Sequence, residues 1–475
     1  MFGHASLLTM SSPGSLDEGS GEPAPPPPVS FRHALRFWIT LGFINFGGPS
    51  GQIALMHEEL VDRKRWISEG RFLHALAFCM LLPGPEAQQL AIYIGWLLHK
   101  VRGGIAAGVF FVLPSFFLIL VLSWTYAARS GVDWVDGIFL GLSAGVLGMV
   151  LSAMLRIGAR SLTGPFARTL AVTSFLAIFL VGVPFPVVVL GAALAGYVTF
   201  RIRPGLVSIP AEMGAGDEGT GAGATASDAM VSAPHTQPSL RRALTVLTVG
   251  LAVWWIPLLA VIAWRGRGDV LTQEALFFST AAMVTFGGAY AVLAYVNQAA
   301  VYRFGWLAPA DVAAGLGLAE STPGPLIMVT QFVGFLAAYR NHGDLQPVVA
   351  GVIGSMVTVW ATFAPCFLWI FLGAPYVERL RTNRRLGAAL GAVTGAVVGV
   401  IASLALTFGT AVLFAQVHYR KPFFIPVPIP VVGSIKVFSC VVAVASLIAI
   451  RRLRWNPALV ALGCGAAGLI HALIA

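Results

Sequence analysis

The chain has 475 residues, of which 57% are hydrophobic and 11% charged, and its mean hydropathy is +0.82. A soluble protein of this length covers its surface with about a quarter charged residues, so this composition excludes a soluble fold. The net charge of +10 does not indicate a nucleic-acid partner, because the basic residues lie mostly between hydrophobic segments, where they set membrane topology.

The apolar runs predict an all-α polytopic membrane protein, because they are continuous over about 20 residues rather than alternating over about 10. A proline-rich stretch at 1–30 predicts a disordered tail, since it lacks the apolar core of a signal peptide. A Gly-, Ala-, Ser- and Thr-rich stretch at 204–242 predicts a flexible linker between a first module at 31–203 and a second part of the chain. That second part comprises a connecting transmembrane helix at 243–264 and a second module at 265–475.

The hydrophobic segments number about 13, which predicts about 13 transmembrane helices in contact with the lipid bilayer. Six precede the linker and seven follow it, at about 31–53, 70–98, 103–126, 132–155, 166–181, 184–200, 243–264, 272–298, 311–337, 346–373, 386–414, 433–450 and 455–474.

The loop charges predict a cytoplasmic N-terminus and a periplasmic C-terminus, because most Lys and Arg residues then fall on the inner side. One loop violates this bias, since Arg63, Lys64, Arg65 and Arg71 fall outside. Either an early segment is re-entrant, or the Arg63–Arg65 cluster has another role. Two such roles are recruitment of an anion at the outer mouth and anchoring to lipid headgroups.

An internal repeat is the strongest signal in the sequence. The motif Phe46-Gly47-Gly48 recurs 240 residues later from Phe286, and Pro83-Gly84-Pro85 recurs at the same offset from Pro323. Further matches follow at an offset of about 250. Because the connecting helix turns the second module over, we expect two inverted repeats, an architecture of secondary transporters that channels also use.

Both repeated motifs predict broken helices. Proline inside a helix removes a backbone hydrogen bond, and a broken helix survives in lipid only where protein or water satisfies the freed groups. Pro49 and Pro85 fit the first turn of new half-helices, whose N–H groups would point a partial positive charge at an anion. The second half repeats both breaks, with Ala289 in place of the proline after Gly288. We therefore expect four half-helix starts to converge near the bilayer midplane.

Two acidic residues lie in hydrophobic segments beside these breaks, Glu86 and Glu320. Intramembrane carboxylates are costly and commonly functional, so either is a candidate for coupling transport to protons. Glu86 also fits a structural cap in the first turn of its half-helix. Gln88 and Gln331 are candidates for hydrogen bonds to an oxyanion.

Nothing in the sequence predicts a metal, a cofactor or a catalytic centre. Cys79, Cys366, Cys440 and Cys464 have unrelated spacings and are expected to be packing residues. No strand is evident, so no glycine-rich dinucleotide loop is expected.

The motif Phe46-Gly47-Gly48-Pro49 with Gln52, followed by Arg65-Trp66, Leu82-Pro83-Gly84-Pro85 and Gln88, resembles the chromate ion transporter family. The second copies, from Phe286 and Pro323, resemble its long form with two homologous domains. The resemblance implies a protein of the bacterial inner membrane that exports chromate and confers resistance, with sulfate as a competitor. The motifs and the resemblance together predict these substrate-binding residues: Phe46, Gly47, Gly48, Pro49, Gln52, Pro83, Gly84, Pro85, Gln88, Gly287, Gly288, Pro323, Gly324, Pro325 and Gln331.

Three alternatives stay open. A transporter of another oxyanion such as sulfate would use the same groups, and a channel would conduct without coupling. An integral-membrane enzyme would need an acidic or redox centre. Glu58, Glu59 and Asp62 form an acidic cluster without counterparts in the second half, so we predict no enzyme. The sequence is compatible with a homo-oligomer.

Overall fold

The computed structural model describes residues 29–46, 48–129, 132–207, 237, 239–284, 286, 289–376, 384–420 and 427–474. The predicted disordered tail, except for Val29 and Ser30, and most of the predicted linker therefore lie outside the described residues. The helices of the first half are α1 (Phe31–Ile44), α2 (Gly48–His57, continued by a π-helical turn Glu58–Arg63), α3 (Glu69–Leu81), α4 (Glu86–Ala128), α5 (Asp133–Ser161), α6 (Pro165–Leu176, continued by a π-helical turn Ala177–Val181) and α7 (Phe185–Ile202).

The second half repeats this order of elements. Its helices are α8 (Leu240–Arg265), α9 (Val270–Val284), α10 (Ala289–Asn297, continued by a π-helical turn Gln298–Arg303), α11 (Pro309–Ser321), α12 (Val329–Arg340, preceded by a 3-10 turn Leu326–Met328), α13 (Pro347–Gly373), α14 (Arg384–Leu413), α15 (Val437–Arg451) and α16 (Pro457–Ile474).

At each broken-helix motif the chain turns back on itself and forms a helical hairpin. Rings on the two arms of a hairpin contact each other across the break. Their centroids lie 5.3 Å apart for Phe37 and Trp66, and 5.1 Å apart for Phe277 and Tyr295. The other two hairpins show the same closure, with 6.2 Å between the ring centroids of Phe78 and Tyr93 and an ion pair of 2.8 Å between Arg340 and Asp311.

These hairpins replace the single crossings expected of 31–53, 70–98, 272–298 and 311–337. Each arm has roughly 13 to 16 residues and rises about 20–24 Å, which is less than the ~30 Å hydrocarbon core but enough to pass its middle. The breaks are therefore the tips of the hairpins. The re-entrant alternative for the early segments is the arrangement that the structure adopts.

Helix α4 contains a further reversal. His99 and Lys100 leave helical geometry, and Lys100 has a φ of 56°. The arm at 86–98 consequently runs antiparallel to the arm at 101–128. The two arms approach closely because glycines face each other, and a Cβ added to Gly95 would lie 2.4 Å from the carbonyl oxygen of Gly103.

Within the described residues, seven helices are long and apolar enough to cross a membrane, as expected of a polytopic membrane protein. Among them α5 and α14 are the most buried and α8 is the least. The central helix α5 packs against α15 and α16 of the other half, and α14 packs against α6 and α7. Glycines form both contacts, with Gly141 against the backbone of Cys464 and Gly399 against the backbone of Ala171. The two halves are therefore intertwined.

The hairpins also explain why one basic loop violated the expected distribution of Lys and Arg between the two sides of the membrane. Because both arms of a hairpin start and end at one face, Arg63, Lys64, Arg65 and Arg71 lie at the face where α1 begins, here called the first face. The opposite, second face carries few basic residues. Following the described elements through the bundle places these basic residues at the second face: Arg129, Arg265, Arg267, Arg303, Arg340, Arg420 and Lys436. All other described Lys and Arg residues lie at the first face.

One element contradicts the expectation that the chain has no strands. β1 (Val417–Arg420) and β2 (Val427–Pro430) pair as an antiparallel ribbon between α14 and α15. β1 precedes a proline-rich stretch at 422–430, and proline is rare inside strands. The sequence therefore did not indicate this ribbon. The ribbon lies at the second face and carries no dinucleotide loop.

Hairpin topology can be tested with single cysteines introduced into exposed loops. We expect Ser68→Cys and Arg102→Cys to react with an impermeant thiol reagent from one side of the membrane, and Ala308→Cys and Asp344→Cys from the other. Single crossings would instead place Ser68 opposite Arg102. Labelling in right-side-out and everted vesicles distinguishes these outcomes, with Cys440 replaced by serine because it alone among the native cysteines is not fully buried. Labelling of Ser68→Cys and Arg102→Cys from opposite sides would contradict the hairpin.

Candidate anion-binding site

The first break of the first half meets the second break of the second half. The backbone N–H of Gly324 donates to the carbonyl oxygen of Asn45, at 2.8 Å. The side-chain amide of Gln52 donates to the carbonyl oxygen of Gly324. Two of the four predicted breaks are thus joined directly, and Gln52 and Gly324 are brought together as predicted site residues. We call this contact the junction.

Each Pro-Gly-Pro break packs against a proline-containing turn of a long helix in the other half. Gly324 has a φ of +116°, and a Cβ added to it would lie 2.4 Å from the Cβ of Ser115 on α4. Gly84 has a φ of +127°, and its added Cβ would lie 3.0 Å from Cys366 Sγ on α13. Both positions require glycine on conformational and steric grounds. Ser115 follows Pro114 as Cys366 follows Pro365, so the two packing arrangements are repeat equivalents.

Unpartnered hydrogen-bonding groups collect at the junction. Asn45 is 0% exposed, and neither atom of its side-chain amide has a partner among the described residues. The hydroxyl of Ser115 is also buried and unpartnered. An amide N–H and a hydroxyl are the neutral donors that bind an oxyanion. Sequence reasoning missed both residues, although Asn45 directly precedes the Phe46 motif.

The side chains of the other predicted glutamines bond to backbone carbonyl groups and do not point into an open site. Gln88 donates to the carbonyl oxygen of Gly108 at 3.3 Å, which ties the two arms of α4 together. Gln331 donates to the carbonyl oxygen of Phe116 at 2.8 Å, which ties α12 to α4. Gln89 was not predicted, and it donates to the carbonyl oxygen of Pro83 at 2.8 Å. These amides satisfy carbonyl groups that water cannot reach.

The two candidate coupling carboxylates lie in different surroundings. Glu86 is half-buried at the start of α4 and accepts a hydrogen bond from its own backbone N–H, as a cap would. Glu320 is 4% exposed, and its carboxylate accepts a hydrogen bond of 2.6 Å from Tyr290 on α10. The structure does not bring these two carboxylates into contact.

The breaks of the two halves differ in accessibility. Phe46, Gly48, Pro49 and Pro83 of the first half are partly exposed. The second Pro-Gly-Pro break, Pro323–Pro325, is buried throughout. The junction is therefore less enclosed on the side of the first half, although Phe286 of the second half is also partly exposed. Gly47, Gly287 and Gly288 lie outside the described residues.

A basic pocket leads along α1 from the first face towards the junction. It has a volume of about 460 Å³. Arg32, Arg36, Thr40 and Ile44 recur at four-residue spacing and form one side of it, and Asn45 follows Ile44 directly. The complete lining is Ser30, Arg32, His33, Arg36, Phe37, Thr40, Ile44, Glu59 and Lys64.

The charges around this pocket are only partly neutralised. Lys64 pairs with Glu59 at 2.8 Å, and Arg63 pairs with Glu59 at 2.7 Å and with Glu58 at 2.6 Å. Arg32 and Arg36 make no ion pair among the described residues. The net positive charge in the pocket therefore comes mainly from two arginines that were not predicted as site residues.

The predicted recruitment cluster is remote from the junction. α2 and its π-helical turn span 48–63, which corresponds to about 24 Å between the first break and Arg63. Lys64 lines the pocket, whereas Arg65 is exposed with a φ of 51°. Within the described part of the chain, no group of three or more His, Cys, Asp or Glu residues could hold a metal ion, and the four cysteines are free.

Comparison with known proteins identifies the family. The model of the chromate transporter family matches residues 33–197 and 272–469, once in each half. The chain belongs to this family. A probable chromate transport protein of Synechococcus elongatus is 30% identical over 362 residues, which cover 76% of this chain and 80% of the relative.

Two further relatives of this chromate transporter family member cover both halves. The chromate transport protein of Pseudomonas aeruginosa is 30% identical over 371 residues, 77% of this chain and 78% of the relative. That of Cupriavidus metallidurans is 28% identical over 357 residues, 74% of this chain and 76% of the relative. No solved structure matches the chain.

From the packing around the breaks we predict that replacing glycine by alanine lowers the free energy of unfolding by different amounts at different positions. Gly324→Ala meets both the positive φ and the Ser115 side chain, so we expect a loss of about 3 kcal/mol of stability. Gly48→Ala has a φ of +66° but open space around it, so we expect a loss of only about 1 kcal/mol. Gly191→Ala on α7 is the control, because it is helical with nothing within 4 Å. Thermal unfolding in detergent measures all three, and equal losses at Gly324 and Gly48 would contradict the packing described.

Proposed function

We propose that the protein exports chromate from the cytoplasm across the bacterial inner membrane and thereby confers chromate resistance. The observation that carries this proposal is the junction, where Asn45 and Ser115 have buried, unpartnered donors. Asn45 directly follows Ile44, which lines a basic pocket along α1. Chromate is the substrate named for the relatives in Pseudomonas aeruginosa and Cupriavidus metallidurans. Sulfate has a similar shape and charge and would compete for the same groups.

The first face is the cytoplasmic one in this proposal. The excess of Lys and Arg at that face supports the assignment, which puts the N-terminus in the cytoplasm and the C-terminus in the periplasm. Arg32 and Arg36, with Lys64, then raise the local concentration of a dianion at the cytoplasmic mouth. Arg63 and Arg65 contribute to the same field from the adjacent turn. The anion passes along α1 and is held between the breaks.

The substrate site comprises the residues of the breaks together with the two donors. Phe46, Gly48 and Pro49 border its accessible side, and Pro323–Pro325 close its buried side. Backbone N–H groups at the starts of α2 and α4 add a partial positive charge. A dianion bound there needs no counter-charge from a side chain, so it can leave again.

The way in which the junction is built supports alternating access. Two hydrogen bonds, from Gly324 to Asn45 and from Gln52 to Gly324, join hairpins of different halves. Movement of one hairpin against the other would break them and open the site towards the second face. A dianion that leaves a negative-inside cell releases about 2.3 kcal/mol per charge per 100 mV, so the membrane potential can drive export.

Flux of radiolabelled chromate into everted membrane vesicles tests this function. We expect energy-dependent uptake that excess sulfate inhibits. Arg36→Gln should lower uptake several-fold at low chromate and less at saturation, because it acts on recruitment. Asn45→Ala should lower it at all concentrations. Arg452→Gln, an exposed first-face arginine outside the pocket, is the control. Wild-type vesicles without chromate flux would contradict chromate as the substrate, and sulfate flux in the same vesicles would identify the alternative.

The coupling role of Glu86 and Glu320 is tested by removing their charge. We expect Glu86→Gln or Glu320→Gln to flatten the pH dependence of chromate flux while leaving flux driven by an imposed membrane potential. Tyr290→Phe is the matched control for Glu320, because it removes the hydrogen bond but keeps the carboxyl group. If both glutamine variants retain the wild-type pH dependence, neither carboxylate couples transport to protons.

A further inference from the structure

A buried polar strip runs along one face of α13. Ser355, Thr358 and Thr362 are at most 3% exposed, and no hydroxyl among them has a partner within the described residues. Their spacing of three and four places them on one helix face. A buried helical hydroxyl usually bonds to the carbonyl oxygen one turn earlier, as Thr407 does on α14 at 3.0 Å. The three strip hydroxyls do not, so they are free to bond elsewhere.

Glu274 on α9 lies at the outer end of this strip. It is 0% exposed, and neither of its carboxylate oxygens has a partner in the described part of the chain. Its Oε2 atom is 3.0 Å from the position of a Cβ added to Gly354. Gly354 in turn faces Gly334 on α12, which also contacts the hydroxyl of Thr358. The carboxyl group and the hydroxyl therefore border the same glycine contact.

The strip connects the second face with the first Pro-Gly-Pro break. Asp269, one turn before Glu274, lies at the second face and pairs with Arg265. At the inner end Cys366 follows Thr362 by one turn, and its thiol contacts Gly84 and Gln89. From 355 to 366 the helix rises about 16 Å, half of the hydrocarbon core. Glu86 begins the half-helix directly after this break.

The first half has the same packing without the polar groups. At the repeat offsets Glu274 corresponds to Ala34, Ser355 to Gly104, Thr358 to Ala107 and Thr362 to Phe111. Helix α1 packs on α4 as α9 packs on α13. The fold therefore does not require these polar side chains, although burying a carboxyl group without a partner costs several kcal/mol.

We propose that Glu274 and the hydroxyls of Ser355, Thr358 and Thr362 form a proton path from the second face to the first Pro-Gly-Pro break. Neighbouring side chains at this spacing lie about 5–6 Å apart, so a water molecule between them would complete the path. Each hydroxyl would then donate one hydrogen bond and accept another and so pass a proton on, and Glu274 binds the incoming proton. The path deepens the proposed function, on which it rests: a proton entering from the periplasm would add to the membrane potential as a second driving force for export.

The charges around Glu274 agree with proton binding. From the elements packed against α9, Arg265 of α8 is held by Asp269 and Asp344, and Arg340 of α12 is held by Asp311. Neither arginine is free to pair with Glu274, and α10 and α13 bring no charged side chain. The hydrogen bond from Arg265 holds the pKa of Asp344 below its usual value, so the outer ion pair persists in mild acid. Asp269, near the start of α9, is a like charge and offers Glu274 no counter-charge.

Purified full-length protein in liposomes with an internal pH dye tests the path. The variants install the first-half residues one at a time, as Glu274→Ala, Ser355→Gly and Thr358→Ala. Ser123→Ala is the control, because its buried hydroxyl bonds to its own helix at 2.6 Å. We expect chromate-dependent proton movement to fall by about 100-fold in Glu274→Ala and Thr358→Ala. Chromate flux driven by an imposed potential should stay within twofold of wild type, as should both fluxes in Ser123→Ala.

Four outcomes overturn the inference. An unchanged ratio of proton to chromate flux in Thr358→Ala, which alters one small side chain and preserves folding, excludes the path. Sodium dependence of chromate flux in the wild type, lost in Glu274→Ala, would make the strip a metal-cation site. A loss of both fluxes together in every folded strip variant would make it structural. No chromate flux in the wild type would overturn the proposed function and this inference together, whereas the first three outcomes leave chromate export intact.

Discussion

Hydrocarbon offers no hydrogen bonds, so every backbone group freed by a helix break has to be satisfied by protein or by water. In this chain two of the four breaks satisfy each other. Gly324 donates its N–H to Asn45, and Gln52 donates to the carbonyl oxygen of Gly324. The tips of these two hairpins, one from each half, consequently stabilise each other. The apolar length of the hairpins, their glycines and the approach of the two halves all depend on that exchange.

The sequence predicted the breaks, their duplication and the helical class, because proline, glycine and apolar length act locally. It did not distinguish a hairpin from a crossing helix, since two short arms together have the length of one span. The misplaced charges of Arg63–Arg65 were the local sign of the difference. The ribbon at 417–430 was missed for a similar reason, as its pairing is with itself rather than with a hydrophobic face.

The predicted site residues have different surroundings in the structure. Gln52 and Gly324 meet, but Gln88 and Gln331 support backbone instead. Asn45, Ser115 and Glu274 gain their positions from packing between segments that are far apart in sequence, so their surroundings cannot be read from neighbouring residues. The repeat itself held one usable signal, because comparing equivalent positions separates residues that the fold needs from residues that only one half carries.

Duplication supplies two copies of one scaffold, and the residues that differ between the copies mark where their roles have diverged. The first half keeps an open break and a basic pocket beside α1. The second half has a buried break and a polar strip beside α9. Because both halves share one packing scheme, the packing of the helices stabilises the fold without these polar side chains and offsets the cost of burying them.

The clasping of α5 by α15 and α16 has a consequence for how the protein is made. The packing face of α5, with Gly137 and Gly141, has no partner until the last two helices are synthesised about 300 residues later, some 15–60 s at ordinary translation rates. During that interval the first half is an unfinished bundle in the membrane, with its glycine face against lipid or an insertion factor. Truncations before α15 should thus be degraded rather than accumulate as half-transporters.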